Sequence, residues 1–299
     1  MIKKGLSYVG LCFLYLLSLL PFWFLYLISD LLFVVIYHIV RYRRDVVKEN
    51  LRKSFPEKNT KELSLIEHRF YRYLADLIVE SIKLFTISEK GLKKRIKGKN
   101  TDLVISMLKD GKSIIGAVGH YGNWEIAALE LSTLFSDPRI IVYKPLTNKV
   151  FDQGFKSMRS RFGATLVSMR NSLRAIMEHK GKPSFTVLVS DQTPVRGETR
   201  YFTQFLNQQT PVFLGIEKLA KMTDSAVIFC DIRRIRRGYY EYEFVPLFME
   251  PRNTADYEIT NVHVQYLEKV IREVPAYWLW SHRRWKFKPE DINDPIVNL

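Results

Sequence analysis

Apolar and polar positions alternate along this chain in three different rhythms. From Gly5 to Ser29 no charged residue occurs, and apolar character resumes after Asp30 until Arg41. At about 1.5 Å per residue in a helix, such a run is long enough to cross a hydrocarbon layer of about 30 Å. Lys3 and Lys4 precede it, but it is too long for a signal-peptide core and no small-residue cleavage site follows, so it reads as a retained anchor. Pro21 divides it, so a single tilted span and a kinked pair dipping into one leaflet both fit. Next, residues 63–85 repeat apolar side chains at three- and four-residue steps behind Asn59 and Thr60, the pattern of a capped amphipathic helix. From residue 113 the rhythm shortens again. The blocks 113–119, 139–144, 164–169 and 185–191 are brief and rich in β-branched residues, with helical stretches at 123–134, 149–162 and 171–180 between them, two of them stopped by Gly163 and Gly181.

Strands alternating with helices predict an α/β fold with a mixed, largely parallel sheet flanked by helices. A polar loop over 192–210 follows, then a helix opened by Pro211. Residues 225–234 and 239–248 form an antiparallel hairpin, a helix covers 255–273, and the chain closes on a basic-aromatic tail. No internal repeat or low-complexity linker is visible. The organisation expected is an anchor and basic juxtamembrane helix over 1–54 and one α/β domain over 55–299.

Charge narrows the setting. Forty-six Lys and Arg against 31 Asp and Glu give a net charge of +15, which favours anionic partners: nucleic acid, an anionic membrane surface or an acidic protein. Arg41, Arg43, Arg44, Lys48, Arg52 and Lys53 crowd the exit of the apolar segment, which places that end and the domain after it on the cytoplasmic face, against anionic headgroups. Two cysteines, Cys12 and Cys230, make neither a disulfide framework nor a zinc site and are expected to be packing residues. No histidine pair has metal-ligand spacing, and nothing calls for a cofactor.

The candidate chemistry lies in "GAVGHYGNWEIAALELSTL", residues 116–134. In open α/β sheets, ligands bind beyond the carboxyl ends of the strands, and His120 follows such an end. With Gly119 and Gly122 allowing a tight turn and a helix starting near Asn123, His120 in the loop and Glu125 in the first helical turn can converge. Glu125 would then orient the imidazole as a general base for a hydroxyl. Taken alone, a histidine and a glutamate five apart more often mark a turn histidine and a carboxylate facing a helix N-terminus. Arg159 and Arg161, near a helix end, are solvated charges or a clamp for a phosphate or carboxylate. Asp191 ends a strand and is either a turn aspartate or a group holding such an arginine or an acceptor. Lys144 is a further phosphate-contact candidate.

Six segments together change this balance. "HYGNWE", "YRRDVVKENLRKSFPEK" (42–58), "VYKPLTNKVFDQGFKSMRSRFGATLVS" (142–168), "VLVSDQTPVRG" (187–197) with its Asp191–Gln192, and "TPVFLGIEKLAKMTDSAVIF" (210–229), closed by "WSHRRWK" (280–286), together resemble the lipid A biosynthesis acyltransferases. These belong to the lysophospholipid acyltransferase superfamily, with its histidine-x4-carboxylate signature. Tyr121 stands where the family commonly has phenylalanine. The resemblance implies a bacterial inner-membrane enzyme acting on the cytoplasmic face. It implies that His120, oriented by Glu125, deprotonates a lipid hydroxyl, which attacks an acyl thioester carried by acyl carrier protein, without a covalent enzyme intermediate. Backbone N–H groups of Gly122 and Asn123 are the oxyanion candidates, and Asn123, Lys144, Arg159, Arg161, Asp191 and Gln192 the substrate contacts. No nucleophile elbow or cysteine–histidine pair competes. Transfer to another amphiphile, such as a lysophospholipid, aminolipid or glycolipid, is the alternative. A membrane-tethered nucleic-acid module rests only on "RRIRRG" (233–238), which no nucleic-acid motif accompanies. His282, Arg283, Arg284 and Lys286 read as an interfacial tail, with Trp278, Trp280 and Trp285 either in the core or at headgroup level.

Overall fold

The computed structural model describes residues 2–179, 182–293 and 295–297, so the helix stop expected at Gly181 lies outside the described residues. The apolar N-terminus forms two helices, α1 (Ile2–Leu19) and α2 (Phe22–Val34), broken at Leu20–Pro21, and α2 runs on through a π-helical turn, Val35–Ile39. Among the described residues, Phe22–Ile39 is the one helical stretch long and apolar enough to cross a membrane.

Both helices lie along the domain. The last carbonyls of α1 would be unpartnered at a helix end, and Lys83 Nζ donates to Ser18 O and Leu20 O at 2.8 and 2.9 Å. Ser29 Oγ donates to Asp76 Oδ1 at 2.7 Å, and Arg237 bridges Asp30 and Asp76. Leu6, Val9, Phe13, Leu16, Trp23, Leu27 and Leu31 remain exposed as an apolar stripe on the outward faces.

Helix α3 (Arg44–Ser54) leads to α4 (Thr60–Lys83). The start of α4 is fixed by a reciprocal cap: Asn59 Oδ1 accepts from Lys61 N and Glu62 N, and Glu62 Oε2 accepts from Asn59 N. Next come α5 (Glu89–Arg95), β1 (Ile96–Lys99), α6 (Thr101–Lys109) and β2 (Ile114–Val118), then α7 (Trp124–Leu131), β3 (Arg139–Tyr143), α8 (Lys149–Arg159), β4 (Thr165–Ser168), α9 (Ser172–Glu178) and β5 (Phe185–Val189). The chain continues through β6 (Tyr201–Phe205), β7 (Gln208–Pro211), α10 (Gly215–Thr223), β8 (Ala226–Arg236), β9 (Tyr239–Phe248), α11 (Glu258–Glu273) and β10 (Ile296–Val297).

The main sheet has the order β1-β9-β8-β2-β5-β3-β4, and only the β8–β9 pairing is antiparallel. The α/β class, the four parallel strands and the hairpin are therefore as the sequence pattern predicts. Strand β2 shows why its run is apolar throughout: Ile115 and Ala117 enter the core on one face, Ile114 and Val118 on the other.

Two readings are corrected. The segment 192–210 is not all loop, because β6 and β7 pair as a hairpin through Leu206 and Asn207, both left-handed at φ 52° and 61°. That turn normally advertises itself with glycine, and here none is present. Pro211 ends β7 rather than opening a helix, and α10 begins four residues later. The short elements α5, β1 and α6 had no periodic signature long enough to be read.

Candidate active site

Strand order creates the site. Although β2 and β5 are 71 residues apart, they pair in parallel with Val118 opposite Val189. His120 and Asp191, each two residues beyond, are thereby set side by side at the carboxyl edge of the sheet. The loop between β2 and α7 turns at Gly122, whose φ of +59° favours glycine, and any Cβ there would press on Ile232. Gly119 is equally constrained, since a Cβ would collide with Leu267.

Asp191 is buried and accepts from three donors. Its Oδ1 lies 2.6 Å from His120 Nδ1, and its Oδ2 accepts from His120 N and from Trp278 Nε1, each at 2.7 Å. Burial alone would raise its pKa. The charge and hydrogen bonds of His120, with the Trp278 bond, prevail and hold it down at about 2. A carboxylate on Nδ1 fixes the tautomer that leaves Nε2 with its lone pair outward, and Gln192 Nε2 approaches that atom at 3.2 Å. The ring edge rests on Trp124, centroids 4.8 Å apart, and His120 retains partial exposure.

Glu125 is elsewhere, and this corrects the expected pair. None of the hydrogen bonds to the His120 ring comes from it; its carboxylate is forked by Arg159, with Nε–Oε2 at 2.8 Å and a second bond from Nη2 to Oε1. On the first turn of α7 its side chain turns toward α8, not back over the loop. Burial lowers the Arg159 pKa, and the Glu125 charge more than reverses this, leaving it raised. Arg159 is thus already occupied by a carboxylate, while Arg161 donates to Leu84 O at 2.7 Å. Breaking a half-buried pair strands one charge, so Glu125→Gln is expected to lower stability by about 2 to 3 kcal/mol, measured by denaturant unfolding in detergent.

Asn123 is fully buried and structural. Its Oδ1 caps α7 by accepting from Ile126 N, and its Nδ2 donates to Glu80 Oε2 at 2.7 Å, so its side chain is not offered to a substrate. Gly122 N–H is spent on Tyr277 O at 3.0 Å, which removes it as an oxyanion donor. Lys144 sits exposed one residue past β3, at the same edge of the sheet as His120.

In the closing segment the core reading holds for the tryptophans, while Arg284 and His282, read as part of an interfacial tail, lie inside. Trp278 and Trp280 are buried in the core, as is Arg284, 2% exposed. His282 Nε2 accepts from Thr193 N at 3.0 Å; burial, followed by the Arg284 charge, lowers its pKa to about 4, keeping it neutral. The signal for these roles was the tail motif itself, but charge and aromatic content describe a headgroup surface equally well. Cys230 is buried, as expected of a packing residue, whereas Cys12 is exposed on α1. Of "RRIRRG", Arg233 pairs with Asp231 and Glu273, Arg234 with Asp76, and Arg237 with Asp30 and Asp76, so most of that basic cluster is neutralised internally.

An α/β protein with an apolar helical N-terminus and a strand-end imidazole held by a buried carboxylate has, at the carboxyl edge of its sheet, a group able to accept a proton. The chain belongs to the bacterial lipid A biosynthesis acyltransferase family, whose sequence model matches residues 1–287. It is 23% identical to the lipid A biosynthesis acyltransferase of Haemophilus influenzae, covering 96% of this chain and 90% of that protein. It is 22% identical to the lipid A biosynthesis palmitoleoyltransferase of Escherichia coli K12, over 96% and 93% of the two chains, and 21% identical to the lauroyltransferase of that organism, over 97% and 94%.

Proposed function

We propose that this protein transfers a fatty acyl group from a thioester on acyl carrier protein to a hydroxyl of a lipid A precursor. The work is done at the cytoplasmic face of the bacterial inner membrane. The observation that carries the reading is the His120–Asp191 pair, which leaves Nε2 as a base at the sheet's carboxyl edge in a chain of this family.

His120 Nε2 takes the proton of the acceptor hydroxyl as its oxygen attacks the thioester carbonyl. Asp191 stabilises the imidazolium that forms. The tetrahedral intermediate collapses, the carbon–sulfur bond breaks, and the departing thiolate takes the proton back from Nε2. Gln192, whose amide has a second N–H besides the one facing His120, is the oxyanion donor in this mechanism.

A groove of about 390 Å3, lined by Ile36, Leu74, Ile78 and Leu279 with Arg43 and His282 at its polar side, is the candidate seat for hydrocarbon. Its wall includes Ile36 of the π-helical turn that continues the apolar N-terminal helix, which supports entry of hydrocarbon from that side. The +15 charge suits both an anionic leaflet and an acidic carrier protein. The Glu125–Arg159 pair and Lys144 border the site as structural and headgroup-facing charges.

The test is reconstitution of the full chain in detergent with acylated carrier protein and a lipid A precursor bearing hydroxyacyl chains. Expected are release of carrier thiol and a lipid heavier by one acyl group. Thiol release with no gain in lipid mass, or no release at all, would sink the assignment.

A further inference from the structure

Beside Asp191 lies a small cavity of about 10 Å3 lined by Ser190, Asp191, Phe205, His263, Leu267 and Arg284. Two of these side chains carry polar atoms that are buried with no hydrogen-bond partner among the described residues: Nε and Nη1 of Arg284, and Nε2 of His263. Each residue is 2% exposed. Guanidinium nitrogens buried away from water without a hydrogen-bond acceptor are costly for a fold to keep. The room is about that of one water molecule, and the lining offers the two to four polar partners such a water needs.

We propose that this chamber is a binding site for one ordered water, held by Arg284 and His263 and bonded to Asp191, which makes Arg284 a positioning residue for the His120–Asp191 pair. The water oxygen accepts from the guanidinium. One of its protons goes to His263 Nε2, the other to the lone pair of Asp191 Oδ1 that His120 leaves free. Burial lowers the His263 pKa to about 4, so its ring stays neutral and able to accept. The arrangement explains why a fully buried arginine lies in the closing motif. Its charge offsets that of Asp191, while the bridge fixes the carboxylate's rotation and so the direction of the imidazole.

The ionisable groups around Asp191 are His120 from the β2 edge, His263 from α11, and His282 and Arg284 from the tail, with Arg43 acting on His282 from the segment before α3. Arg284 is the permanent cation nearest the carboxylate in this set, and removing it leaves Asp191 to hold the proton on His120 more tightly.

The inference rests on the proposed role of Asp191, and its test has two arms that fail separately. A crystal structure of the full chain at a resolution that shows ordered water is expected to reveal one peak within hydrogen-bond reach of Arg284 and His263. A dry chamber, or Arg284 turned to a protein acceptor, overturns the site whether or not the protein transfers acyl groups. In the second arm, Arg284→Met, which puts an apolar side chain of similar volume in its place, is expected to keep the fold, as read from the thermal midpoint. It is also expected to lower kcat about tenfold with little change in KM, and to move the acid limb of the pH–rate profile upward. A lower midpoint with an equal loss of activity at every pH, or an unchanged kcat, overturns the positioning role.

Discussion

His120→Ala is expected to reduce acyl transfer about 10⁴-fold, to the level left by substrate positioning alone. The reason is specific to this geometry. Nδ1 is committed to Asp191, so Nε2 is the base, faced by the movable side chain of Gln192, whereas His282 Nε2 is held by the backbone N–H of Thr193. The measurement is steady-state release of carrier thiol, with acceptor mass as a second readout. Circular dichroism and thermal unfolding check the fold, since Asp191 keeps its bonds from the backbone N–H of residue 120 and from Trp278. Activity within tenfold of wild type would remove His120 from the mechanism.

Asp191→Asn is expected to cost about 10³-fold, more than Glu125→Gln, and this comparison separates two candidate orienting carboxylates. Three donors converge on Asp191, namely His120 N, His120 Nδ1 and Trp278 Nε1. An amide has one oxygen to offer them, and its NH2 must face a donor. The imidazole relieves that clash by moving its proton to Nε2, which disables the base. Glu125 touches none of these atoms, so its loss acts through Arg159 and stability.

Acidity provides an independent check. A carboxylate held at about 2, below the ordinary value of 3.8, contributes about 2 kcal/mol of stability. The contribution is complete above pH 4 and is lost as pH falls toward 2. The stability gap between wild type and Asp191→Asn should therefore narrow over that interval in unfolding measurements. A gap independent of pH would mean that the carboxylate is not held as described.

The sequence by itself determined a good deal of this protein. Hydrophobic periodicity is local, and it marked the apolar N-terminus, the capped α4, the parallel strands β2 to β5, the β8–β9 hairpin and the position of His120 at a strand end. Ordered motifs along the chain then pointed to the family. Turn chemistry failed where left-handed residues were not glycine, as at Leu206 and Asn207, because the strain there is tolerated only by the surrounding hairpin.

What only the tertiary structure decided is which carboxylate meets the imidazole. Glu125 is five residues from His120 and bonds elsewhere, while Asp191 is 71 residues away and in contact. The order of strands in a sheet is set by long-range packing, and inserting β5 beside β2 is what brings Asp191 into place. The same non-local packing buries Arg284, a residue whose charge, read along the chain, points to the surface.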